Sequence, residues 1–193
     1  IKGACSLHFT LIIRGFFDDA VALITYGDDN KMGVSKDYPK YNHTNMQKVY
    51  AHYGIEYTMA DKEAESVPYV TNSGSDFIKR DPVFVEKYSY TDFTGEEHNG
   101  MYWACLDQMS IFKSLHCNLA SQAETPIAVA AQCLDQAMSE FFFHGPEVFK
   151  ERHDQLKRVV IEAGLSDVIS PRFYQDFDTR EALWMEKYGI SIK

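Results

Sequence analysis

No stretch of this chain is apolar over the ~20 residues that a membrane-spanning helix needs, and its start has no basic region followed by an apolar core and a cleavage site, so neither a spanning helix nor a secretory leader is read from it. Cysteine is sparse. The four residues Cys5, Cys105, Cys117 and Cys133 show no Cys-x-x-Cys spacing, which argues against a disulfide framework and leaves a zinc site with little support. His116 beside Cys117 has metal-capable chemistry but reads more simply as two residues of a helix. Asn42-His43-Thr44 is a formal glycosylation sequon, and with no secretory signal read here it is expected to carry no meaning. Positive charge is also short. Nineteen Lys and Arg face 28 Asp and Glu, a net charge of -9, which counts against a module that binds nucleic acid by bulk charge. Any such contact would have to be local. No internal repeat and no low-complexity segment is present. Ile1 is not an initiator Met, so the expectation is a processed product or a piece of something longer.

What is present is a globular composition, 45% hydrophobic and 14% aromatic, in 193 residues, enough for one domain with a real core or for two small lobes. The most informative stretch is Ala22-Leu23-Ile24-Thr25-Tyr26-Gly27-Asp28-Asp29-Asn30. An apolar, β-branched run reads as a buried strand. Gly27 then supplies the backbone freedom of a tight turn, and two adjacent carboxylates sit at the tip. Acids held rigidly and close together are what a divalent-metal site for phosphoryl transfer requires. Gly-Asp-Asp-Asn is equally ordinary turn chemistry, and the tetrapeptide alone does not separate the two. A calcium loop is excluded: counted from Asp28, the fifth position is Met32 and the twelfth Pro39.

The rest of the chain predicts an α+β fold. Residues 1–17 read as the tail of a buried helix ending near Gly15. Residues 30–36 form the returning arm of the hairpin, with Met32 and Val34 on one face. Thr44 as N-cap with Gln47 three residues on predicts a helix over 44–53, with Met46, Val49, Tyr50 and Tyr53 on one face and Gly54 as its stop. Ile55, Tyr57 and Met59 alternate with Glu56 and Thr58 as a half-buried strand does, and Ala60-Asp61-Lys62 follows. Lys62 taken alone is a solvated charge. Phe77-Ile78-Lys79-Arg80 and Val83-Phe84-Val85 flank Asp81-Pro82, which suggests a second hairpin with Lys79 and Arg80 at its tip, whether phosphate-facing or incidental. The polar, aromatic stretch 88–100 reads as a boundary. Helices are expected beyond it: over 101–119; from the Thr125 cap with Pro126 at its first position; from Pro146 to Gly164, with Phe149, Leu156, Val159, Val160 and Ala163 buried; and from the Thr179 cap to Tyr188, with Leu183 and Trp184 inward.

The order of these motifs resembles the C-terminal part of picornavirus-like RNA-dependent RNA polymerases, particularly those of insect and marine relatives of the picornaviruses. There a Tyr-Gly-Asp-Asp hairpin is followed by a palm helix, a strand ending in Ala-Asp-Lys, a Phe-Leu-Lys-Arg hairpin and a helical thumb. Here Tyr26-Gly27-Asp28-Asp29, the helix over 44–53, Ala60-Asp61-Lys62 and Phe77-Ile78-Lys79-Arg80 follow in that order, with Ile78 for the usual Leu. The resemblance is specific over roughly residues 20–85 and rests on helix pattern and position over 86–193. It implies a palm segment over 1–86 and a thumb over 87–193. It also implies Mg2+ (or Mn2+) held by Asp28 with Asp29 in support, Lys62 as general acid for the pyrophosphate leaving group, and Lys79 and Arg80 on the backbone phosphates of the nascent strand. Tyr26, Gly27 and Asn30 would lie near the primer terminus.

The partners implied are an RNA template-primer, nucleoside triphosphates, and the upstream palm and fingers of the same polyprotein. The place implied is the host cell cytoplasm, at membrane-associated replication complexes. The departures bear on activity. The family's Asp-x4-Asp pattern, its Ser-Gly-x3-Thr segment and its basic fingers residues are not found, and the adjacent Asp18 and Asp19 are not spaced to replace the first. The expectation is a polymerase fragment that does not polymerise alone and whose incomplete palm sheet leaves an exposed edge. Two other readings stay open. One is a non-catalytic RNA- or protein-binding module in which the acids are a turn. The other is a reverse transcriptase, whose hairpin usually has another residue at the position of Gly27.

Overall fold

The computed structural model describes residues 20–116 and 122–193. The expected helix tail over 1–17, Asp18, Asp19, Cys5 and Cys117 lie outside them. The fold is α+β, and the chain divides into two compact units, 1–78 and 79–193.

In the first unit, β1 (Val21–Tyr26) and β2 (Asp29–Val34) pair antiparallel from Val21 opposite Val34 to Tyr26 opposite Asp29. Gly27 and Asp28 are thus a two-residue turn. Gly27 has a φ of +61° and Asp28 does not share the positive sign, the pattern of the type II′ turn whose twist matches paired strands. Side chains alternate across the ribbon. One face presents Asn30, Met32 and Val34, all part-buried, as predicted for Met32 and Val34; the Tyr41 hydroxyl lies 3.7 Å from the Met32 sulfur. The other presents Tyr26, Ile24 and Asp29, and it is open: Ile24 is 53% and Tyr26 71% exposed. The expectation of a buried strand is corrected to this extent. The apolar run fixes the strand, but Leu23, Ile24, Thr25 and Tyr26 are all exposed, and on the second face the part-buried Lys31 donates to the Ser75 carbonyl at 2.9 Å.

The helix α1 (His43–His52) begins one residue earlier than predicted, and its cap is Asn42, not Thr44. Asn42 Oδ1 accepts from the Asn45 amide at 3.0 Å, while the Thr44 hydroxyl meets Ser66 Oγ at 3.0 Å and the Gln47 amide donates to the Tyr57 carbonyl at 2.9 Å. Both residues of the supposed capping box are therefore engaged elsewhere. Gly54 closes the helix as expected: its N–H reaches the Ala51 carbonyl and that of Ile55 the Tyr50 carbonyl. Residues 55–59 are not a strand. Their alternation was real, but a strand also needs a neighbour to pair with, and the described residues offer none.

The second unit is built on a long hairpin. β3 (Arg80–Thr91) pairs antiparallel with β4 (Glu97–Leu106), and β5 (Ile190–Ile192) adds to the other side of β3 at Tyr88–Tyr90. Asp81-Pro82 is not a hairpin tip. Asp81 lies opposite Cys105 and Pro82 opposite Ala104. Proline is tolerated there because β5 reaches only residues 88–90, so among the described residues no strand pairs with the other side of this part of β3. The stretch read as a boundary is the far end of the hairpin, where Asp92 Oδ1 accepts from the amides of Thr94 and Glu96. Residues 98–106 are strand, not helix. Trp103 and Cys105 turn inward and Tyr102 and Ala104 outward, and Gly100, on the outward side, is covered by the Phe84 ring.

Four helices cover this sheet: α2 (Gln108–His116), α3 (Pro126–Phe141), α4 (Pro146–Glu162) and α5 (Phe177–Tyr188). α3 starts as predicted, with Thr125 accepting from the Ala128 amide and Pro126 in the first turn. α5 is capped by Asp176, whose Oδ1 accepts from the Thr179 amide at 2.8 Å; Thr179 is not the cap. Leu183, expected inward, is 49% exposed, whereas Trp184 packs against Tyr88 and Trp103. On α4, Phe149, Leu156 and Val160 are buried as predicted, but Val159 and Ala163 are exposed and His153 takes a place in the stripe. The core of the unit is strongly aromatic, with Tyr88, Trp103, Phe141, Phe142, Phe149 and Phe173 at its centre. Among the described residues no helix is long and apolar enough to cross a membrane.

Candidate functional site

The tip of the first hairpin carries five of the predicted site residues. Asp28 is the second residue of the turn, and Asp29 opens β2 opposite Tyr26; both are exposed. Among the described residues neither carboxylate is engaged in an ion pair. A tight turn with exposed, adjacent carboxylates offers hard oxygen donors of the kind that Mg2+ or Mn2+ prefers. Asn30 is different. Its Oδ1 accepts a hydrogen bond from the Tyr57 hydroxyl at 2.8 Å, so it is committed to holding the hairpin. Burial raises the Tyr57 hydroxyl above the usual phenol range, against the pull of Asn30, and Tyr50 adds to the rise. The donor thus keeps its proton at any neutral pH. The Tyr57 ring stacks on His43 at 4.8 Å, and His43 Nδ1 meets Ser66 Oγ at 2.8 Å.

Lys62 sits exposed on a turn closed by the Ala64 amide to the Asp61 carbonyl and by the Glu63 amide to Asp61 Oδ1. It borders an open depression of about 450 Å³ with Gln47, Lys48, Glu56, Tyr57 and Thr58. Tyr57 therefore belongs to both features, its hydroxyl donating to the first hairpin and the residue also lining the depression that Lys62 borders. Sequence reasoning missed this role. The only signal was an aromatic residue in an alternating run, and nothing in that run names Asn30 as its partner.

Lys79 and Arg80 open the second unit, and the structure gives them different surroundings. Ile78 and Lys79 both have positive φ, +49° and +61°. For a β-branched residue such as Ile78 that conformation costs on the order of 1–3 kcal/mol. The Lys79 carbonyl accepts from the Asp107 amide at 2.9 Å, and its side chain is exposed. The Arg80 guanidinium donates to both oxygens of Glu140 at 2.7 and 2.8 Å and to the Ala104 carbonyl at 3.0 Å. Hydrogen bonding to Glu140 holds Arg80 protonated beyond its usual range, outweighing partial burial. Arg80 is thus not a free cation at a hairpin tip.

The metal-capable cluster among the described residues lies at the end of the long hairpin. Asp92, Glu96 and His98 can bring one ligand atom each within 4.8 Å of one another. The Thr94 hydroxyl and His98 hold the Asp92 carboxyl far below the usual carboxylate range. His98 Nε2 lies 2.8 Å from Asp92 Oδ2 and its ring stacks on Tyr90, so these groups also satisfy one another without an ion.

No family model matches the chain. The chain is 28% identical over 172 residues to the genome polyprotein of Rice tungro spherical virus, strain A, and 28% identical over 172 residues to that of strain Vt6. The match takes in 87% of this chain and 4% of each polyprotein, so the chain spans a small part of the length of the curated relatives it matches. Its similarity is to one stretch of a viral genome polyprotein.

Proposed function

We propose that this chain is a palm and thumb segment, 1–86 and 87–193, of a picornavirus-like RNA-directed RNA polymerase, working in the replication and transcription of a viral genome. The observation that carries the reading is the Gly27-Asp28 turn itself: a two-residue type II′ tip with two exposed, adjacent carboxylates. The order of motifs behind it and the similarity to a viral polyprotein over 87% of the chain lend support.

The donor set fits a Mg2+ or Mn2+ ion in part. Asp28 and Asp29 are hard, unneutralised oxygen ligands, but two carboxylates are fewer than a pair of ions requires, so further acids must come from elsewhere in the protein. When bound, such ions stabilise the attacking and leaving oxygens of an in-line displacement at phosphorus. The chain's own residues do the rest. Asp28 and Asp29 supply negative charge at a fixed point, and Tyr57 holds the hairpin's position through Asn30. Lys62, exposed at the depression's edge, provides a proton for the pyrophosphate leaving group. Lys79 and Arg80 belong to the element that grips the nascent strand, and the helices of the second unit line the path of the duplex, touching backbone and not base edges. The place of action is the host cell cytoplasm, at membrane-associated replication complexes.

The test joins this chain to the polyprotein sequence that precedes it. The proposal expects an Asp-x4-Asp and a Ser-Gly-x3-Thr segment within about one domain's length and template-dependent nucleotide incorporation by the joined protein, with none by the 193 residues alone. Incorporation by the isolated chain, or an upstream domain without those segments, contradicts it.

A further inference from the structure

We infer that the Phe77-Ile78-Lys79-Arg80 turn divides its two cations between two jobs: Lys79 meets phosphate, and Arg80 is an anchor held by Glu140, which makes Glu140 a positioning residue for RNA. The inference rests on the polymerase reading and deepens it.

The guanidinium of Arg80 spans both oxygens of the Glu140 carboxylate, and the same nitrogen that meets Oε2 also reaches the Ala104 carbonyl on β4. Glu140 is only 8% exposed and accepts a further bond from the Gln136 amide at 3.0 Å. A phosphate that recruited Arg80 would have to strip it from this carboxylate and leave a buried anion behind, which is strongly unfavourable. The planar fork matches the carboxylate as a lysine's point charge does not.

Lys79, one residue earlier, has the opposite setting. Its carbonyl is pinned to the Asp107 amide, the residue whose Oδ2 also accepts from the Ser110 amide at the start of α2. Its side chain is exposed, and no ion pair holds it among the described residues. The chain is therefore clamped at the Lys79 carbonyl and at the Arg80 side chain, with the Lys79 ammonium left as the charge on offer. The left-handed φ of Lys79, a conformation that L-residues rarely adopt, is what those two clamps sustain.

The test measures primer-template affinity of the complete polymerase against salt concentration, with a thermal melt of every variant. Lys79→Ala is expected to weaken binding several-fold and to make the log-log salt slope shallower by about 0.9, one phosphate contact, with an unchanged melt. Arg80→Lys keeps the charge but not the fork, and is expected to lower both melting temperature and affinity without changing the slope. Glu140→Gln removes a negative charge, so a purely electrostatic account expects tighter RNA binding; the anchor account expects weaker binding. Should Glu140→Gln fail to fold, Arg80→Lys carries the same decision. Tighter or unchanged binding by Glu140→Gln, full affinity in Arg80→Lys, or a slope reduced by Arg80→Gln but not by Lys79→Ala would overturn the division of roles. An unmodified polymerase without salt-dependent RNA binding would overturn the polymerase reading and the role of Lys79 together. A melting-temperature coupling between Arg80 and Glu140 would in that case survive as a purely structural finding.

Discussion

At the scale of single residues, one half-buried and one buried group make measurable predictions. Tyr57 donates to Asn30 across 27 positions of sequence. Replacing it by Phe removes one neutral hydrogen bond and leaves the amide oxygen of Asn30 short of a partner, so a loss of about 1 kcal/mol in urea unfolding is expected. In the complete enzyme, turnover should fall more than RNA binding, because the hairpin is loosened while the cationic contacts remain. His153 is the second. It is 5% exposed between the rings of Phe149 and Phe173. Burial lowers its pKa from 6.5, and Lys157 and Arg180 push the same way against Asp154 and a backbone contact at Phe173. The unfolded chain then binds more protons than the folded one, so stability from this group is complete above pH 6.5 and is lost as the pH falls below it. Asp92, Asp107 and Asp176 have lowered values and lose their contribution only at more acidic pH. A melting-temperature profile should therefore already decline between pH 7 and 5, and His153→Gln should flatten that limb. A profile unchanged by the substitution would refute the assignment.

At the scale of elements, legibility followed the range of the forces involved. The first hairpin was readable because Gly27 and its neighbours decide the turn locally. α3 and α4 were readable because Thr125-Pro126, Gly145-Pro146 and Gly164 mark their ends. The cap of α1 was misplaced because Asn42 and Thr44 are both competent caps, and only the demand of Ser66, more than 20 residues away, decides between them. β4 was misread because Tyr102 and Leu106 continue the helical spacing of Met109 and Phe112 in the helix that follows, and the alternation of Trp103 and Cys105 acquires meaning only once β3 lies beside it. β5 is three residues long and leaves no signal of its own. Of the site, the acids were legible. The role of Tyr57 and the capture of Arg80 by a carboxylate 60 residues downstream were not. One element-level prediction tests the β reading directly. Gly100 has a φ of +79°, and a Cβ there would stand 2.2 Å from the Phe84 ring. Gly100→Ala should destabilise the second unit by about 1–3 kcal/mol, an effect that a helix at this position would not show.

At the scale of the whole molecule, the two units differ in what they bury. The core of the second unit is continuous and aromatic. In the first, Ala20 and Met46 are the buried apolar side chains among the described residues, whereas Leu23, Ile24, Tyr26, Tyr53, Ile55 and Val70 are exposed. Apolar surface on this scale calls for a covering partner. Residues 79–193 expressed alone should unfold cooperatively, and residues 1–78 should not. The net charge of -9 adds a constraint: on the proposed reading, any RNA contact in this chain is local, as the one proposed for Lys79 is.

The central claim is that the Asp28-Asp29 tip is half of a polymerase metal site. Its most direct test is single-turnover incorporation by the complete enzyme carrying Asp28→Ala, measured beside its affinity for a primer-template. The account predicts that incorporation is abolished while RNA affinity stays within about twofold, because the carboxylate serves the chemistry and not the grip. Retained turnover with lost RNA binding would contradict it.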